Sequence, residues 1–222
     1  PYLAARLRGL LGHGALAAGD FHRATGLLES AAAELDGQPD SGMLRGLMLA
    51  SAARGRFFMG QYRQAADTYD RAGKLLGDAT PAAFRVSLGR AHALAFAGRH
   101  QEAEKSLERV TGRLERLPEG QRAQAERTLA LERALVSVMR GDRDRGAALL
   151  AGVARAALDA SDVRTGAIAR TNLAELLNDA GDHRGALREA KAALKWLDPG
   201  SQADAAWQAL CEKGRALAGL GE

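Results

Sequence analysis

The stretch Ala167–Pro199, AIARTNLAELLNDAGDHRGALREAKAALKWLDP, decides the fold, because two amphipathic segments in it flank a short turn. In both segments apolar residues recur at intervals of three and four, as they do along one side of an α-helix. Gly181 suits the left-handed conformation that ends a helix, and Asp182 suits the start of the next, where its carboxylate accepts free N–H groups. Pro199 is expected to end the second helix. The stretch is therefore predicted to be a helical hairpin whose apolar side needs a neighbour.

The same pattern recurs along the chain, which has six turn glycines at intervals of 41, 38, 43, 40 and 40 residues. A small residue stands seven positions before every one of them, and another stands five positions after each of the first five. Alanine and glycine let two helices cross closely, so this regularity predicts repeated hairpins with tight crossings. The turn glycines are Gly19, Gly60, Gly98, Gly141, Gly181 and Gly221. The small residues are Gly12, Ala53, Ala91, Ala134, Ala174 and Gly214 before the turns, and Ala24, Ala65, Ala103, Gly146 and Ala186 after them.

The repeated unit resembles a tetratricopeptide repeat (TPR), a helical hairpin with small residues at these positions and commonly a closing proline. Phe21 and Tyr62 stand two residues after a turn glycine, where TPRs prefer an aromatic ring, whereas His100, Arg143 and His183 depart from that preference. The period of about 40 residues exceeds the usual value of about 34. In this it resembles the long TPRs of bacterial signal-transduction regulators with MalT-like arms and those of kinesin light chains.

The resemblance implies an all-α fold, a right-handed α-solenoid of five TPR-like hairpins followed by the first helix of a sixth. HEAT repeats share the longer period and are the alternative, but the Gly-Asp turn with alanine five residues later favours TPRs. Composition also favours helices, because strand formers are scarce: the chain has one isoleucine and six valines, and aromatic residues make up 5%. The repeats are predicted within a single domain over residues 1–222, at residues 2–36, 41–77, 80–117, 121–158, 162–199 and 201–222.

Motifs that would indicate an enzyme are absent from the sequence. There is no Walker sequence, no Gly-x-Ser-x-Gly elbow and no His-Glu-x-x-His zinc motif. Cys211 is the single cysteine, which excludes an intrachain disulfide and a cysteine-based metal cage. We therefore expect no catalytic residues, no metal and no cofactor. No apolar run reaches about 18 residues and no signal peptide is recognisable, so we expect a cytoplasmic protein without a membrane partner.

The ends of the sequence suggest a piece of a longer protein. Pro1 is not an initiator methionine, and the stretch from Leu217 to Glu222 matches the end of a first helix with its turn. If the chain is an arm of a larger regulator, an ATPase, DNA-binding or protease domain would lie outside it.

The first helix of each TPR lines a concave groove, and by the resemblance the positions thirteen, ten, six and three before the turn glycine face it. The Leu and Val positions have an alternative interpretation, which is packing between neighbouring first helices. Two adjacent phenylalanines cannot face the same side of a helix, so of Phe57 and Phe58 we predict that Phe57 anchors a partner. The predicted partner-binding residues are Arg6, His13, Arg54, Phe57, Arg85 and His92 in the basic first three repeats, Leu131 and Leu135 in the apolar fourth, and Asn172, Glu175 and Asn178 in the polar fifth.

The resemblance implies a protein–protein interaction module that binds a peptide or protein segment, acidic where the groove is basic. Of the positions that bind chaperone carboxylates in some TPRs, only Asn172 matches, so that activity is not expected. The alternative is a sensor or autoinhibitory arm of a larger bacterial regulator or protease, whose own domains would be its partners. Nucleic acid is disfavoured, because 27 acidic residues are interleaved with 31 basic ones for a net charge of +4. A homodimer through Trp207, Leu210 and Leu217 of the last helix is a further expectation.

Overall fold

A computed structural model describes residues 2–77, 80–197 and 203–222 of the chain. Within these ranges the chain forms helices and no strand, so the predicted all-α fold of TPR-like hairpins is confirmed. The α-helices are α1 (Tyr2–Ala17), α2 (Phe21–Glu34), α3 (Gly42–Phe58), α4 (Tyr62–Leu76), α5 (Pro81–Phe96), α6 (His100–Thr111), α7 (Glu119–Met139), α8 (Arg143–Asp159), α9 (Val163–Asp179), α10 (His183–Leu194) and α11 (Ala203–Leu220), with a 3-10 turn at Leu114–Arg116.

The chain divides into two compact units, Pro1–Arg122 and Ala123–Glu222, which we call unit 1 and unit 2. In unit 1 each helix from α1 to α6 packs against the next, and α3 also contacts α1 and α5. In unit 2 α9 packs against α8, α10 and α11, and α10 packs against α11. The single solenoid over residues 1–222 stays a prediction.

The hairpin turns have the geometry that the sequence predicts. All six turn glycines have positive φ, from 73° at Gly60 to 95° at Gly141, a conformation that costs side-chain-bearing residues free energy. Asp182 caps α10 by accepting a hydrogen bond from the Gly185 N–H at 2.9 Å. α10 ends at Leu194, and Pro199 lies outside the described residues.

The small residues beside the turns are buried, with one exception. All are buried except Gly214. A Cβ atom added at Gly12 would lie 2.7 Å from Cγ of the fully buried Leu28, so α1 and α2 cross too closely there for a methyl group. A Cβ at Gly214 would have no atom within 4 Å among the described residues. The tight crossings therefore need small residues in the hairpins but not in α11.

The core is built from leucine and alanine, as the scarcity of aromatic residues predicts. In unit 1 the largest fully buried side chains are Leu28, Leu35, Leu94, Leu107 and Val110. In unit 2 a cluster joins α7, α8 and α9; it consists of Leu131, Ala134, Leu150, Val153, Ala154, Ala169 and Leu176.

Candidate partner-binding surface

The predicted groove positions of α1, α3 and α5 fall into two classes in unit 1. Thirteen and six residues before the turn glycine, the side chains are exposed or half-buried, as at Arg54 and Arg85. Ten and three residues before it they are mostly buried, as at Leu16, Leu88 and Ala95. Seven residues make almost two helical turns, so the first two positions share one face and the last two share the adjacent face, which packs on neighbours. Of the four positions per repeat that the sequence pattern predicts to face a groove, two are therefore accessible in unit 1 and two mostly pack against neighbouring helices.

Three of the predicted residues, His13, Arg54 and Arg85, meet at one cavity of about 400 Å³ between α1, α3, α4 and α5. Among the residues that the structure describes, no acidic side chain lines this cavity, which we call the basic pocket. Its remaining lining is mostly apolar and therefore suits the stem of a side chain that carries a negative charge. The lining residues are His13, Leu47, Ala50, Ser51, Arg54, Tyr69, Ala82, Arg85 and Val86.

The charge of the basic pocket comes from its two arginines. Arg54 and Arg85 are exposed, and neither makes a hydrogen bond or an ion pair with any residue that the structure describes. Burial, and then the positive charge of Arg54, lower the pKa of His13 below its ordinary value of about 6.5. His13 is therefore neutral at pH 7. Arg6 lies outside the lining of the pocket, with its guanidinium 5.9 Å from the centre of the Tyr2 ring.

An aromatic cluster lies further along the same helices; it consists of Phe21, Phe57, Phe58, Tyr62, His92 and Phe96. The half-buried Phe57 ring lies at the centre of this cluster. Its ring centroid is 5.1 Å from those of both His92 and Phe96 and 5.3 Å from that of Tyr62. Phe58 stacks on Phe21 at 5.0 Å. The exposed members are Phe58 at 57% and Phe96 at 43% of their surface.

The exposed phenylalanines are residues that our sequence reasoning missed, although the sequence carried a signal. Phe58 and Phe96 each stand two positions before a turn glycine, the same place in successive repeats. The prediction that Phe57 anchors a partner stays a prediction, and the structure adds Phe58 and Phe96 as the more accessible rings.

The basic pocket and the aromatic cluster follow one another along α3 and α5. Phe57 lies three residues after Arg54, almost one helical turn further along α3 and on the adjacent face. Arg85 and His92 are seven residues apart on α5, which corresponds to about 10 Å along the axis at 1.5 Å per residue. Unit 1 therefore presents a positive pocket and an exposed aromatic surface side by side.

The apolar residues predicted for the fourth repeat pack in the core of unit 2. Leu131 is 5% exposed and belongs to the cluster that joins α7, α8 and α9. Leu135 is half-buried against the same cluster. The packing interpretation of these positions therefore describes Leu131, whose side chain offers no surface to a partner.

Asn178, one of the polar residues predicted for the fifth repeat, takes part in a hydrogen-bond network of unit 2. Buried Asn178 donates from Nδ2 to the Glu212 backbone oxygen at 3.0 Å and to Glu212 Oε2 at 2.9 Å, which fastens α9 to α11. Its Oδ1 lies 3.3 Å from Nδ1 of His183. Asn172 donates to the Ile168 backbone oxygen of its own helix at 2.8 Å. The network gives Asn178 a structural role.

Glu175 lies beside this network without joining a hydrogen bond. Burial, then the negative charges of Glu212 and Asp179, raise the pKa of Glu175, although Arg215 and Arg143 oppose the shift. Asp179 pairs with Arg143, and with Arg215 Nη2 at 2.8 Å, so the pKa of Asp179 is lowered. The surface around Glu175 is therefore acidic but largely neutralised by its own arginines.

Other chemistries find little support in the described ranges. They contain no group of three or more His, Cys, Asp or Glu side chains placed to hold a metal ion. Cys211 is free and exposed. Among the helices described, none combines the length and the apolar character that crossing a membrane requires.

Comparison with known proteins adds solved structures but no sequence relatives. No family model matches the chain, and no curated protein matches it. A crystal structure of a Podosopora anserina putative kinesin light chain with nearly identical TPR-like repeats is similar, with a TM-score of 0.61 and 19% identity. The similarity covers 91% of this chain and 98% of that one. The fold is TPR-like. A variant of the same protein superimposes with a TM-score of 0.62 and 19% identity over 89% of this chain and 95% of that chain.

Proposed function

We propose that this chain is a protein–protein interaction module, which binds an acidic segment of a partner through the basic pocket and the aromatic cluster of unit 1. The observation that carries the proposal is that, among the described residues, Arg54 and Arg85 line a cavity without an acidic side chain and make no hydrogen bond or ion pair. Charge-assisted hydrogen bonds from arginine to a carboxylate are among the strongest in proteins, and here both donors are available.

The geometry also limits the sequence of the partner. The pocket and the cluster are separated by about 10 Å along α5, which an extended chain spans in about three residues at 3.3 Å per residue. We expect an aspartate or glutamate in the basic pocket and an aromatic or aliphatic residue about three positions away, against Phe58 and Phe96. Both sites lie on helices rather than loops, so little conformational freedom is lost on binding.

The test begins with selection of peptides on the purified chain from a random library. The expected consensus combines an acidic residue with an apolar one about three positions away. Fluorescence anisotropy then compares the wild type with the Arg54→Glu/Arg85→Glu double variant. We expect binding to weaken at least about a hundredfold, since each charged hydrogen bond contributes about 1.5–3 kcal/mol and 1.4 kcal/mol is tenfold.

The matched control is Arg63→Glu/Arg71→Glu, which changes the net charge equally at two exposed arginines of α4 that do not line the pocket. Binding to the control should weaken much less, and circular dichroism should show equal helicity in all three proteins. Equal losses in the two double variants would mean that only net charge matters, and the proposed site would be wrong. Affinity should also fall between low and high salt.

The aromatic cluster is tested separately with Phe58→Ala and Phe96→Ala. Each should weaken binding about tenfold and change stability less than Phe57→Ala does, because the rings are 57% and 43% exposed. Phe57→Ala should destabilise the fold more, because its ring contacts four others. Unchanged affinity in both exposed variants would remove the aromatic cluster from the proposed surface.

Self-association through α11 is a second candidate, favoured by two exposed apolar side chains on that helix. Trp207 is 68% and Leu210 is 47% exposed. A dimer seen by light scattering that becomes a monomer in Trp207→Ser/Leu210→Ser would support it. A wild-type monomer at 100 µM, an order-of-magnitude limit for a weak dimer, would reject it.

A cytoplasmic sensor or autoinhibitory arm of a bacterial regulator or protease remains the alternative function. It predicts that the coding sequence around this chain encodes an ATPase, DNA-binding or protease domain, and that this domain competes with the selected peptide for the basic pocket. Reading that sequence tests the first point directly.

A further inference from the structure

A second cavity of unit 1 is small, polar and strongly basic. It has a volume of about 160 Å³ and lies between α4, α5 and α6. Since water occupies about 30 Å³ per molecule in the liquid, the space holds a tetrahedral oxyanion with a few waters. The lining residues are Tyr69, Asp70, Gly73, Lys74, Val86, Ser87, Arg90, Ser106, Arg109 and Arg113.

The charges of this cavity do not balance. Four cationic side chains line it, against the single carboxylate of Asp70. That carboxylate is already engaged, because Lys74 Nζ lies 2.8 Å from Oδ2 and Arg90 Nε lies 3.3 Å from Oδ1. Arg109 is exposed and makes no hydrogen bond or ion pair with a described residue. Lys74, Arg90 and Arg109 thus share one carboxylate among the described residues, and a bound anion would balance their excess positive charge.

Two serines orient the arginines. Arg113 donates from Nη1 to Ser87 Oγ at 2.7 Å, and Ser87 Oγ itself donates to the Ala83 backbone oxygen at 2.9 Å. Arg90 Nη1 lies 3.5 Å from Ser106 Oγ. The contact of Arg90 with Ser106 uses one N–H of a guanidinium that has five, so Arg90 keeps donors for a ligand.

The Nε donor of Arg90 is buried and lacks a hydrogen bond, although it lies near Asp70. The Nε atom of Arg90 is inaccessible to solvent and has no hydrogen-bond partner, because its approach to Asp70 lacks the alignment of a hydrogen bond. A buried donor without an acceptor costs free energy, and an anion in the cavity could relieve it by rearranging the guanidinium.

We propose that this cavity is a binding site for a tetrahedral oxyanion of the phosphate class, held by Arg90 and Arg109. Arginine suits this ligand because its planar guanidinium donates two parallel hydrogen bonds to phosphate oxygens. The site is chemically distinct from the basic pocket, whose lining is largely apolar. It is also independent of the proposed partner binding, since it uses other charged residues. Free phosphate and a phosphomonoester share this chemistry and are the two sources to be distinguished.

Calorimetric titration of the chain with inorganic phosphate, at constant ionic strength in chloride, tests the proposal. We expect binding with a Kd on the order of 1 mM or tighter. Arg109→Gln should weaken it about tenfold. The exposed Arg71 on the neighbouring α4 does not line the cavity, so Arg71→Gln should change it less than about twofold. Methyl phosphate serves as the phosphomonoester. If it binds as tightly as phosphate, the site accepts phosphomonoesters; if it binds much more weakly, the site is specific for the free anion.

Two further variants should affect phosphate binding differently if the site is correct. Asp70→Asn removes the only carboxylate of the lining and should tighten phosphate binding several-fold. Arg54→Glu/Arg85→Glu should leave it nearly unchanged. The proposal is overturned if neither phosphate nor methyl phosphate binds, if Arg109→Gln binds like the wild type, or if the Arg54/Arg85 variant alone abolishes binding.

Discussion

Unit 1 and unit 2 use the same repeat positions in different ways. Six residues before the turn glycine stand Arg54 in α3 and Glu175 in α9. Arg54 is exposed and makes no hydrogen bond or ion pair with a described residue, whereas Glu175 lies against a network of charges from α8 and α11. Three residues before the glycine, Phe57 belongs to the aromatic cluster, while Asn178 fastens α9 to α11. The repeat register determines which face a residue occupies, but the neighbouring helices determine whether it is available to a partner.

The largest effect on stability is expected when Asn178 is replaced by alanine. The variant loses two hydrogen bonds to Glu212 in a buried position, so we expect the free energy of unfolding to fall by about 2 kcal/mol. Urea denaturation followed by circular dichroism measures it. Arg54→Ala in unit 1 is the comparison and should change stability by less than about 0.5 kcal/mol. Equal losses would show that the two units do not differ in this way.

The two glycines that stand seven residues before a turn sharpen the comparison. Gly12→Ala should destabilise the protein by about 1–2 kcal/mol, because its Cβ would collide with the Leu28 side chain. Gly214→Ala should stabilise it by up to about 1 kcal/mol, because no described atom lies within 4 Å and alanine favours a helix. Melting temperatures should move in opposite directions. A shift of the same sign in both would contradict the difference in packing.

A smaller effect is expected from pH on the basic pocket. Because the pKa of His13 is lowered, the imidazole gains its proton only as pH falls below about 6.5, and the positive charge of the pocket then rises. An acidic peptide should bind about threefold tighter at pH 5.5 than at pH 7.5, measured by anisotropy. The peptide carboxylate remains ionised in this range. In His13→Gln the change with pH should disappear, and persistence of it would assign the effect to another group.

The smallest effect is expected at Glu175 in unit 2. Its raised pKa means that the folded state binds the proton more tightly than the unfolded state, so this group stabilises the fold at low pH and the benefit is lost as pH rises. Glu175→Gln should therefore stabilise the protein at pH 7 by a few tenths of a kcal/mol after solvent screening. Near pH 3.5 the two proteins should unfold alike. Destabilisation at pH 7 would mean that the carboxylate is paired favourably.

Features set by nearby residues could be predicted from the sequence. A turn glycine, an aspartate cap and small residues at fixed spacing act within one hairpin, and Gly181, Asp182 and Ala186 behave as expected. Partners that are distant in the chain could not be predicted. Asn178 bonds to Glu212 across 34 residues, and nothing in the periodicity of α9 indicates that contact.

The candidate site shows the same limit. The pattern indicated Arg54, Arg85 and His13, and the structure brings these three to one cavity. Leu131 was indicated by the same pattern yet lies in the core, because it stands ten residues before its turn glycine, a position that mostly packs on neighbouring helices. The basic cavity of α4, α5 and α6 was not recognised, since its cations lie far apart in the sequence and meet only after folding.

Tyr69 and Val86 line both the basic pocket and the cavity between α4, α5 and α6, and therefore form a wall between these two cavities. The Tyr69 ring fills the space that a side chain at Gly89 would need, since a Cβ there would lie 2.7 Å from Cζ of the ring. A substitution at residue 89 would displace this ring and reshape two binding sites in one step. In evolutionary terms, the two sites are not free to diverge independently through this wall, and Gly89 is expected to change only together with Tyr69.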